Sequence, residues 1–262
     1  MTQPDSSETC SILTTYGTLC TLYYDLDISK DNQEEFDFYE RYVQEADGPI
    51  LEPMCGTGRF LLRFLKAGYA IDGFDASHAM LKTLFKRAIE YNVQPNVWQE
   101  FVQDLKVKER YALAFIPVGS FNLIVDVQEA VRSLKALHQS LKSGGKLVFE
   151  VMTTRFLGRQ EVYVWSHTAL LCPDGKKIAL ATMHQSPEGA VQKTLCRYAL
   201  FDQNDVALCV EDETYELRFY DVNGMDQLLK KTGFKNIKHI KAFKYGKQAD
   251  LSDEIIMYEC TK

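Results

Sequence analysis

No apolar stretch in this sequence approaches the roughly 20 residues needed to cross a bilayer. The longest candidate, Ala112 to Val125, is interrupted by Pro117, Gly119 and Asn122, so a transmembrane helix is excluded. The opening residues MTQPDSSETC lack the basic-then-apolar order of a secretory signal. Cysteine pairs in C-x-x-C spacing are also missing. The seven cysteines (10, 20, 55, 172, 196, 209 and 260) are odd in number and scattered, which argues against a disulfide framework or a Cys-rich zinc site and for a reduced, cytoplasmic protein. None of the five histidines (78, 138, 167, 184 and 239) has H-E-x-x-H spacing, so no metal is expected. Positive charge is not in excess either: 30 Lys and Arg face 36 Asp and Glu, a net charge of −6, which disfavours broad attraction to nucleic acid or anionic membrane. No repeat and no low-complexity tract is visible. What is present is 46% apolar residues in a chain of 262, with 12% aromatics, enough for a sizeable core and incompatible with disorder. The length predicts one large α/β domain with an insertion.

The segment from Asp25 to Asp47 holds nine acids and two basic residues, with Phe36, Tyr39 and Tyr42 or Val43 at helical spacing, and predicts an acidic amphipathic helix. Strand-like and helix-like stretches then alternate. Strands are predicted at Ile50-Leu51, 69–74, 97–102, 111–116 and 146–151, with helices at 59–67, 77–91 and 127–142. Ser77 is placed to cap a helix, and Gly144-Gly145 to stop one. Such alternation implies crossover connections and a mostly parallel sheet covered on both faces. From 161 to 220 the rhythm changes to strand-like runs separated by Pro173-Asp174-Gly175, Pro187-Glu188-Gly189 and 202–205, predicting an antiparallel meander. A helix at 221–232, stopped by Gly233, and strands at 236–244 and 254–260 complete the chain.

The stretch Ile50-Leu51-Glu52-Pro53-Met54-Cys55-Gly56-Thr57-Gly58-Arg59 is the most informative. Gly56 and Gly58 allow the backbone to pass close to a ligand between a strand and a helix. Asp75 follows Glu52 by 23 positions at the end of the next strand, where a carboxylate accepts hydrogen bonds from ribose hydroxyls in nucleotide-binding α/β folds. Two features argue against a dinucleotide. Leu61 stands where G-x-G-x-x-G requires its third glycine, and the acid Glu52 suits a cationic ligand part such as an amino-acid ammonium better than a pyrophosphate.

L-E-P-M-C-G-T-G-R-F, G-F-D-A-S-H-A-M-L, V-Q-D-L and L-K-S-G-G-K-L-V-F-E together resemble, in order and spacing, the class I methyltransferases that use S-adenosylmethionine. The resemblance covers about residues 20 to 152, and the ending Y-D-V-N-G-M-D-Q-L-L-K-K-T-G-F resembles that family's last helix. It implies a Rossmann-like α/β sheet, mostly parallel with an antiparallel last strand, plus the inserted β-meander. The domains implied are an N-terminal helical cap at 1–47, a cofactor-binding α/β domain at 48–155 and 221–262, and an inserted cap at 156–220 that serves substrate or dimer contacts. Carried over by position, Glu52, Met54, Gly56, Gly58 and Arg59 would surround the methionine part of the cofactor. Asp75 would hold the ribose, with Ala76 and Met80 near the adenine, and Gln103, Asp104 and Leu105 would address the adenine edge. The stretch Ile116-Pro117-Val118 would lie beside the transferable methyl. Tyr24 would cover the cofactor, with Tyr16 as the alternative. Pro53-Met54-Cys55 departs from the family where relatives often have a glycine. The seven lysines between Lys230 and Lys247 fall on what the family makes an edge strand, where lysine blocks pairing with another chain.

The resemblance implies an enzyme that transfers a methyl group by direct displacement, converting S-adenosylmethionine to S-adenosylhomocysteine without a metal. A protein base is needed only if the acceptor arrives protonated. Glu150 is the first candidate to contact or deprotonate an acceptor, as it stands near the carboxyl end of a strand, with His167 and His184 next. The meander is similar to substrate caps of small-molecule methyltransferases, so the acceptor is expected to be a small molecule methylated at nitrogen or oxygen, with the protein a monomer or homodimer. A tRNA or protein methyltransferase, a non-catalytic binding scaffold and a dehydrogenase are the alternatives.

Overall fold

The computed structural model describes residues 13, 15–27 and 32–262. Helices α1 (Thr18–Asp27) and α2 (Gln33–Glu45) precede strand β1 (Ile50–Pro53). The chain then alternates through α3 (Leu61–Lys66), β2 (Ile71–Asp75), α4 (His78–Tyr91), β3 (Asn96–Gln99), β4 (Tyr111–Ile116), α5 (Val127–Ser140) and β5 (Leu141–Met152). Four strands follow, β6 (Trp165–Leu171), β7 (Lys177–His184), β8 (Val191–Phe201) and β9 (Ala207–Arg218), then α6 (Val222–Lys231), β10 (Lys235–Lys241) and β11 (Ile255–Thr261). The expected acidic helix is thus α2 alone, with Asp25 and Asp27 belonging to α1.

The first sheet has seven strands in the order β10-β11-β5-β4-β1-β2-β3, parallel from β5 through β3, with β11 antiparallel to both neighbours. Its strands bury both faces, which is why β4 reads as the unbroken run Tyr-Ala-Leu-Ala-Phe-Ile instead of alternating. Leu113 and Phe115 face the cluster that includes Phe36, Tyr39, Phe64 and Leu84 of α2, α3 and α4. Ala114 and Ile116 face the cluster with Leu134, Leu137, Met225 and Leu229 of α5 and α6. Side-chain oxygens cap the helices: Ser77 accepts from the Met80 amide at 3.1 Å, and Asp126 from Glu129 at 2.8 Å. The second sheet, β6-β7-β8-β9, is an antiparallel meander. Its inner face packs Ile178, Cys196 and Tyr198 against Leu19 and Cys20 of α1.

The glycine pair at 144–145 is not a helix stop. Helix α5 ends at Ser140, whose hydroxyl donates to the Leu137 carbonyl at 2.8 Å, and Leu141 is already extended. The glycines instead lie where β5 bulges: Tyr111 pairs with Leu141 but Leu113 with Lys146, and Gly144 takes φ +75° to absorb the extra residues. The third strand also ends earlier than expected, at Gln99, and the chain turns through a 3-10 segment at Val102–Asp104.

Candidate functional site

Strand order reverses beside β1, which has β4 on one side and β2 on the other. The carboxyl ends of strands at such a switch point splay apart and leave a crevice. A cavity of about 790 Å³ opens there, lined by the β1 and β2 ends (Met54, Gly56, Asp75), by the segment after β3 (Glu100 to Gln103), and by the segment after β4 (Val118 to Ser120). Asp75 holds the glycine turn: its Oδ2 accepts from the Gly56 amide at 2.9 Å and its Oδ1 from the Ser77 amide at 2.7 Å. Burial raises the pKa of this carboxyl, and the two amides oppose that shift.

The glycines divide the work. A side chain on Gly56 would meet only the Met80 sulfur, at 3.9 Å, so the backbone there is bare toward the cavity. A Cβ on Gly58 would strike Leu62 and Leu84 at 2.8 and 2.9 Å, so Gly58 serves the packing of α3 and α4. The room that a third glycine would give comes instead from Gly73 on β2, against which Leu61 packs directly. Three residues other than glycine in the left-handed region also line the cavity, Tyr16 (φ 58°), Met54 (φ 57°) and Val118 (φ 58°). For β-branched Val118 this conformation is costly, and such strain gathers at ligand sites. Met54 thus holds a glycine-like backbone within the turn.

The roof comes from the N-terminal segment and the second sheet. Thr15, Tyr16 and Tyr24 face Thr214 to Leu217 of β9 and Lys193 of β8 across the cavity. Two glutamates of β9 fasten the start of α1: Glu213 accepts from the Tyr16 and Gly17 amides at 3.0 and 2.6 Å, and Glu211 from Leu19 at 2.7 Å. Below, Ser77 donates to the Tyr16 carbonyl at 2.8 Å, and Arg87 bridges Asp25 of α1 to the Thr57 carbonyl of the glycine turn at 3.1 and 3.2 Å. Helix α1 therefore ties the two sheets together over the cavity.

Beneath the β1 end lie three buried carboxyls, Glu35, Glu52 and Glu150. Arg59 pairs with Glu35 at 3.3 Å and attracts the other two. Burial pushes the Glu52 pKa well above the carboxylate range, opposed by the Leu61 amide, and its Oε2 has no hydrogen-bond partner. Glu150 is pushed up to about 8, by burial first and then by Glu35.

A family model described as a methyltransferase domain matches residues 50–145, the segment that builds this cavity floor. The chain is therefore similar to methyltransferases over this segment. A Geobacillus methyltransferase is 22% identical over 223 residues, 78% of this chain and 83% of that protein. Among solved structures, an S-adenosylmethionine-dependent methyltransferase of Clostridium acetobutylicum matches with TM-score 0.75 at 19% identity, over 92% of this chain and 96% of that one. A sugar N-methyltransferase of a Streptoalloteichus species matches with TM-score 0.74 at 17% identity, over 100% and 98%.

Of the positions singled out in the sequence, Tyr24, Met54, Gly56, Asp75, Ala76, Met80, Gln103 and Val118 line the cavity together, as does Tyr16. Others do not reach it. Glu52 and Arg59 lie behind the wall in the carboxyl cluster. Asp104 is exposed and Leu105 buried in the core, because the 3-10 turn presents Glu100 to Gln103 instead. Ile116 and Pro117 are buried within the β4 end, and it is the left-handed pair Val118-Gly119 that swings the chain into the cavity. Glu150 is off the lining by one layer, behind Gly119, and on an interior strand, not an edge. His167 lies on the exposed strand β6, and the His184 ring bonds Thr194 at 2.9 Å; neither histidine faces the cavity. Missed altogether were Leu123 to Val125, Glu129, Lys193, Thr214, Glu216 and Leu217, whose approach depends on how the second sheet folds over the first.

Among the described residues no group of three His, Cys, Asp or Glu is arranged to hold a metal ion, and no helix is long and apolar enough to cross a membrane.

Proposed function

We propose that this methyltransferase uses S-adenosylmethionine to methylate a nitrogen or oxygen of a small molecule, with 48–155 and 221–262 as the cofactor-binding domain and 156–220 as an acceptor cap. The observation that carries the reading is the Asp75 carboxylate at the end of β2, beside the bare Gly56 backbone, at the switch point of the sheet. The residues fit the cofactor chemically. Asp75 offers remaining lone pairs to ribose hydroxyls, and Phe101 and Met80 supply apolar walls for an adenine. When bound, the cofactor supplies an already activated methyl carbon.

The protein's own task is then alignment and exclusion of water. Tyr16, Tyr24 and β9 close the roof, and Val118 to Ser120 shape the wall between the two ends of the cavity. The end lined by Leu123 to Val125, Met152 and Thr214 to Leu217 is apolar with a few polar groups, the usual make-up of a small-molecule site. The neighbouring sugar N-methyltransferase supports an acceptor of that size.

Calorimetry of S-adenosylmethionine, S-adenosylhomocysteine and NAD tests this reading. The adenosyl compounds are expected to bind the wild type, Asp75→Ala to weaken them about 100-fold or more, and NAD not to bind. Silence from both adenosyl ligands refutes it. Cofactor binding with no methylated product across metabolite pools refutes the small-molecule acceptor.

A further inference from the structure

Strand β9 is an edge of the second sheet, paired on one side only, with β8. Successive side chains of a strand point to opposite faces, yet Thr214, Tyr215, Glu216 and Leu217 all line the cavity. A cavity touched by four consecutive strand residues lies along the edge of that strand and not on either face. The phase of the ladder says which main-chain groups meet it. The Phe219 amide donates to the Ala190 carbonyl at 2.8 Å, so 219 bonds toward β8, and the Lys193 carbonyl accepts from the Gln185 amide at 2.9 Å, so 193 bonds toward β7. Residues opposite each other in an antiparallel pair alternate between bonded and non-bonded. Glu216, opposite Lys193, and Thr214, opposite Leu195, are therefore non-bonded members, and their N–H and C=O groups point away from β8. Arg218, in the same phase, fits that direction: its carbonyl accepts from Asn122 Nδ2 at 2.6 Å, between Ser120 and Leu123 of the cavity lining. Among the described residues no hydrogen bond takes up the main-chain groups of Thr214 or Glu216.

The two sheets treat their edges differently. Strand β10, at the edge of the first sheet, carries Lys235, Lys238 and Lys241 and an irregular register between the first two, devices that keep other chains from pairing. Strand β9 has no lysine or proline, and its register with β8 runs unbroken from Cys209 to Arg218. Its acids are spent on neighbours within the fold: Glu211 and Glu213 hold α1, Asp212 pairs with Arg197 at 2.7 Å and Glu216 with Lys193 at 2.8 Å. Asn122 fixes where the open stretch begins. It joins the Arg218 carbonyl to Met152 at the end of β5, donating to the Met152 carbonyl and accepting from its amide, both at 3.0 Å. The open stretch at Glu216 and Thr214 starts one step further along the edge, and Leu123, Val125 and Leu217 add apolar wall around it.

We propose that the methyl acceptor is a peptide-like molecule, an acylated amino acid amide or a short peptide, that pairs with Glu216 and Thr214 as an added antiparallel strand. Each of these residues presents an N–H and a C=O on the same side, and one extended amino acid residue with its own N–H and C=O is their complement. Main-chain pairing holds the ligand along β9, and its side chains fall alternately toward the two faces, one bearing Leu217 and the other the Lys193–Glu216 pair. A simple amine, or a sugar without an amide, lacks this fixed two-point pattern. The inference rests on the methyltransferase reading above. It leaves the methylated atom open between nitrogen and oxygen and narrows the small molecule to one built on amides.

Calorimetry tests this in two stages. S-adenosylhomocysteine is titrated first; if it does not bind the unmodified protein, the cofactor reading has failed and this proposal falls with it. At saturating S-adenosylhomocysteine, acetylated dipeptide amides with apolar, polar and charged side chains are then titrated, beside glucosamine and alkylamines as amide-free controls. Binding of at least one dipeptide class and of none of the controls is expected. Thr214→Pro and Glu216→Pro each remove a free N–H without breaking a bond to β8, a change that an edge strand tolerates on its open side. At least one of them should weaken the bound dipeptide about tenfold, while its counterpart Thr214→Ala or Glu216→Ala stays within about twofold. Exchanging the dipeptide's amides in turn for esters removes one N–H at a time and should weaken binding similarly at one position. That arm leaves the protein untouched, so it decides the matter even if the proline variants misfold. No dipeptide binding once S-adenosylhomocysteine has bound overturns the proposal, as does an affinity that neither the proline variants nor the esters change. A wild-type dimer in solution that Thr214→Pro splits also overturns it, because a second copy would then be the strand on β9.

Discussion

The two sheets meet water in opposite ways. In the parallel sheet, Leu113, Ala114, Phe115 and Ile116 of β4 are all at 1% exposure or less, because helices cover both sides. In the meander, Ile178 is fully buried under α1, while Leu208 and Val210 on β9 are 51% and 52% exposed. The difference shows that the parallel sheet carries the core and positions the cavity floor. The meander needs only its inner face and contributes a wall and the anchors for α1.

The sharpest way to test that contrast is to cut into each region. Phe115→Ala should lower global stability by about 3–5 kcal/mol in denaturant unfolding, since a fully buried ring between packed helices leaves a cavity. Ile178→Ala should cost about 2–4 kcal/mol. If the meander is the lesser unit, hydrogen exchange will show the loss confined to α1 and β6 to β9, with β4 protected as before.

A smaller effect separates the carboxyl cluster from ordinary surface acids. Folding raises the Glu150 pKa from 4.5 to about 8, so the native state holds its proton more tightly than the unfolded chain. Its contribution is complete below about pH 4.5, falls as pH rises toward 8 and is flat beyond. Glu150→Gln should therefore gain a few degrees in melting temperature relative to the wild type between pH 6 and 9, with the gap closing toward pH 5. A parallel pair of curves would contradict this.

At the seam between the regions, Glu213→Ala removes the acceptor for the Tyr16 and Gly17 amides and should cost about 0.5–2 kcal/mol, with a several-fold weaker affinity for adenosyl ligands. The smallest effect is expected from Val210→Ala, within about 0.5 kcal/mol. A loss well above 1 kcal/mol, or one that depends on protein concentration, would mean that the outer face of the meander is covered by a second copy in solution.

Much of this was readable beforehand. The alternation of apolar runs with helical spacing, the glycine turn and Asp75 pointed to the sheet and to its switch point, since those features depend on neighbours in sequence. The meander was legible from its turn clusters for the same reason. The wall after β4 was legible only in part: the expected stretch Ile116-Pro117-Val118 reaches the cavity at Val118, but nothing local marks Val118 as left-handed, and Ile116 and Pro117 are buried. His167 and His184 were drawn in by their chemistry alone, whereas strand register turns one outward and gives the other to Thr194.

The sequence by itself determined the parallel sheet, the meander and the bare glycine turn, because backbone conformation and burial pattern follow from residue type and short-range periodicity. Only the tertiary structure decided which acids meet. Glu35, Glu52 and Glu150 come from α2, β1 and β5, and their convergence on Arg59 requires α2 to pack on the sheet. Likewise the roof of Tyr16, Tyr24 and β9 exists only because Glu211 and Glu213, nearly two hundred residues along the chain, hold the first turn of α1. Contacts of that range are set by packing and electrostatics among distant segments, and no local pattern encodes them.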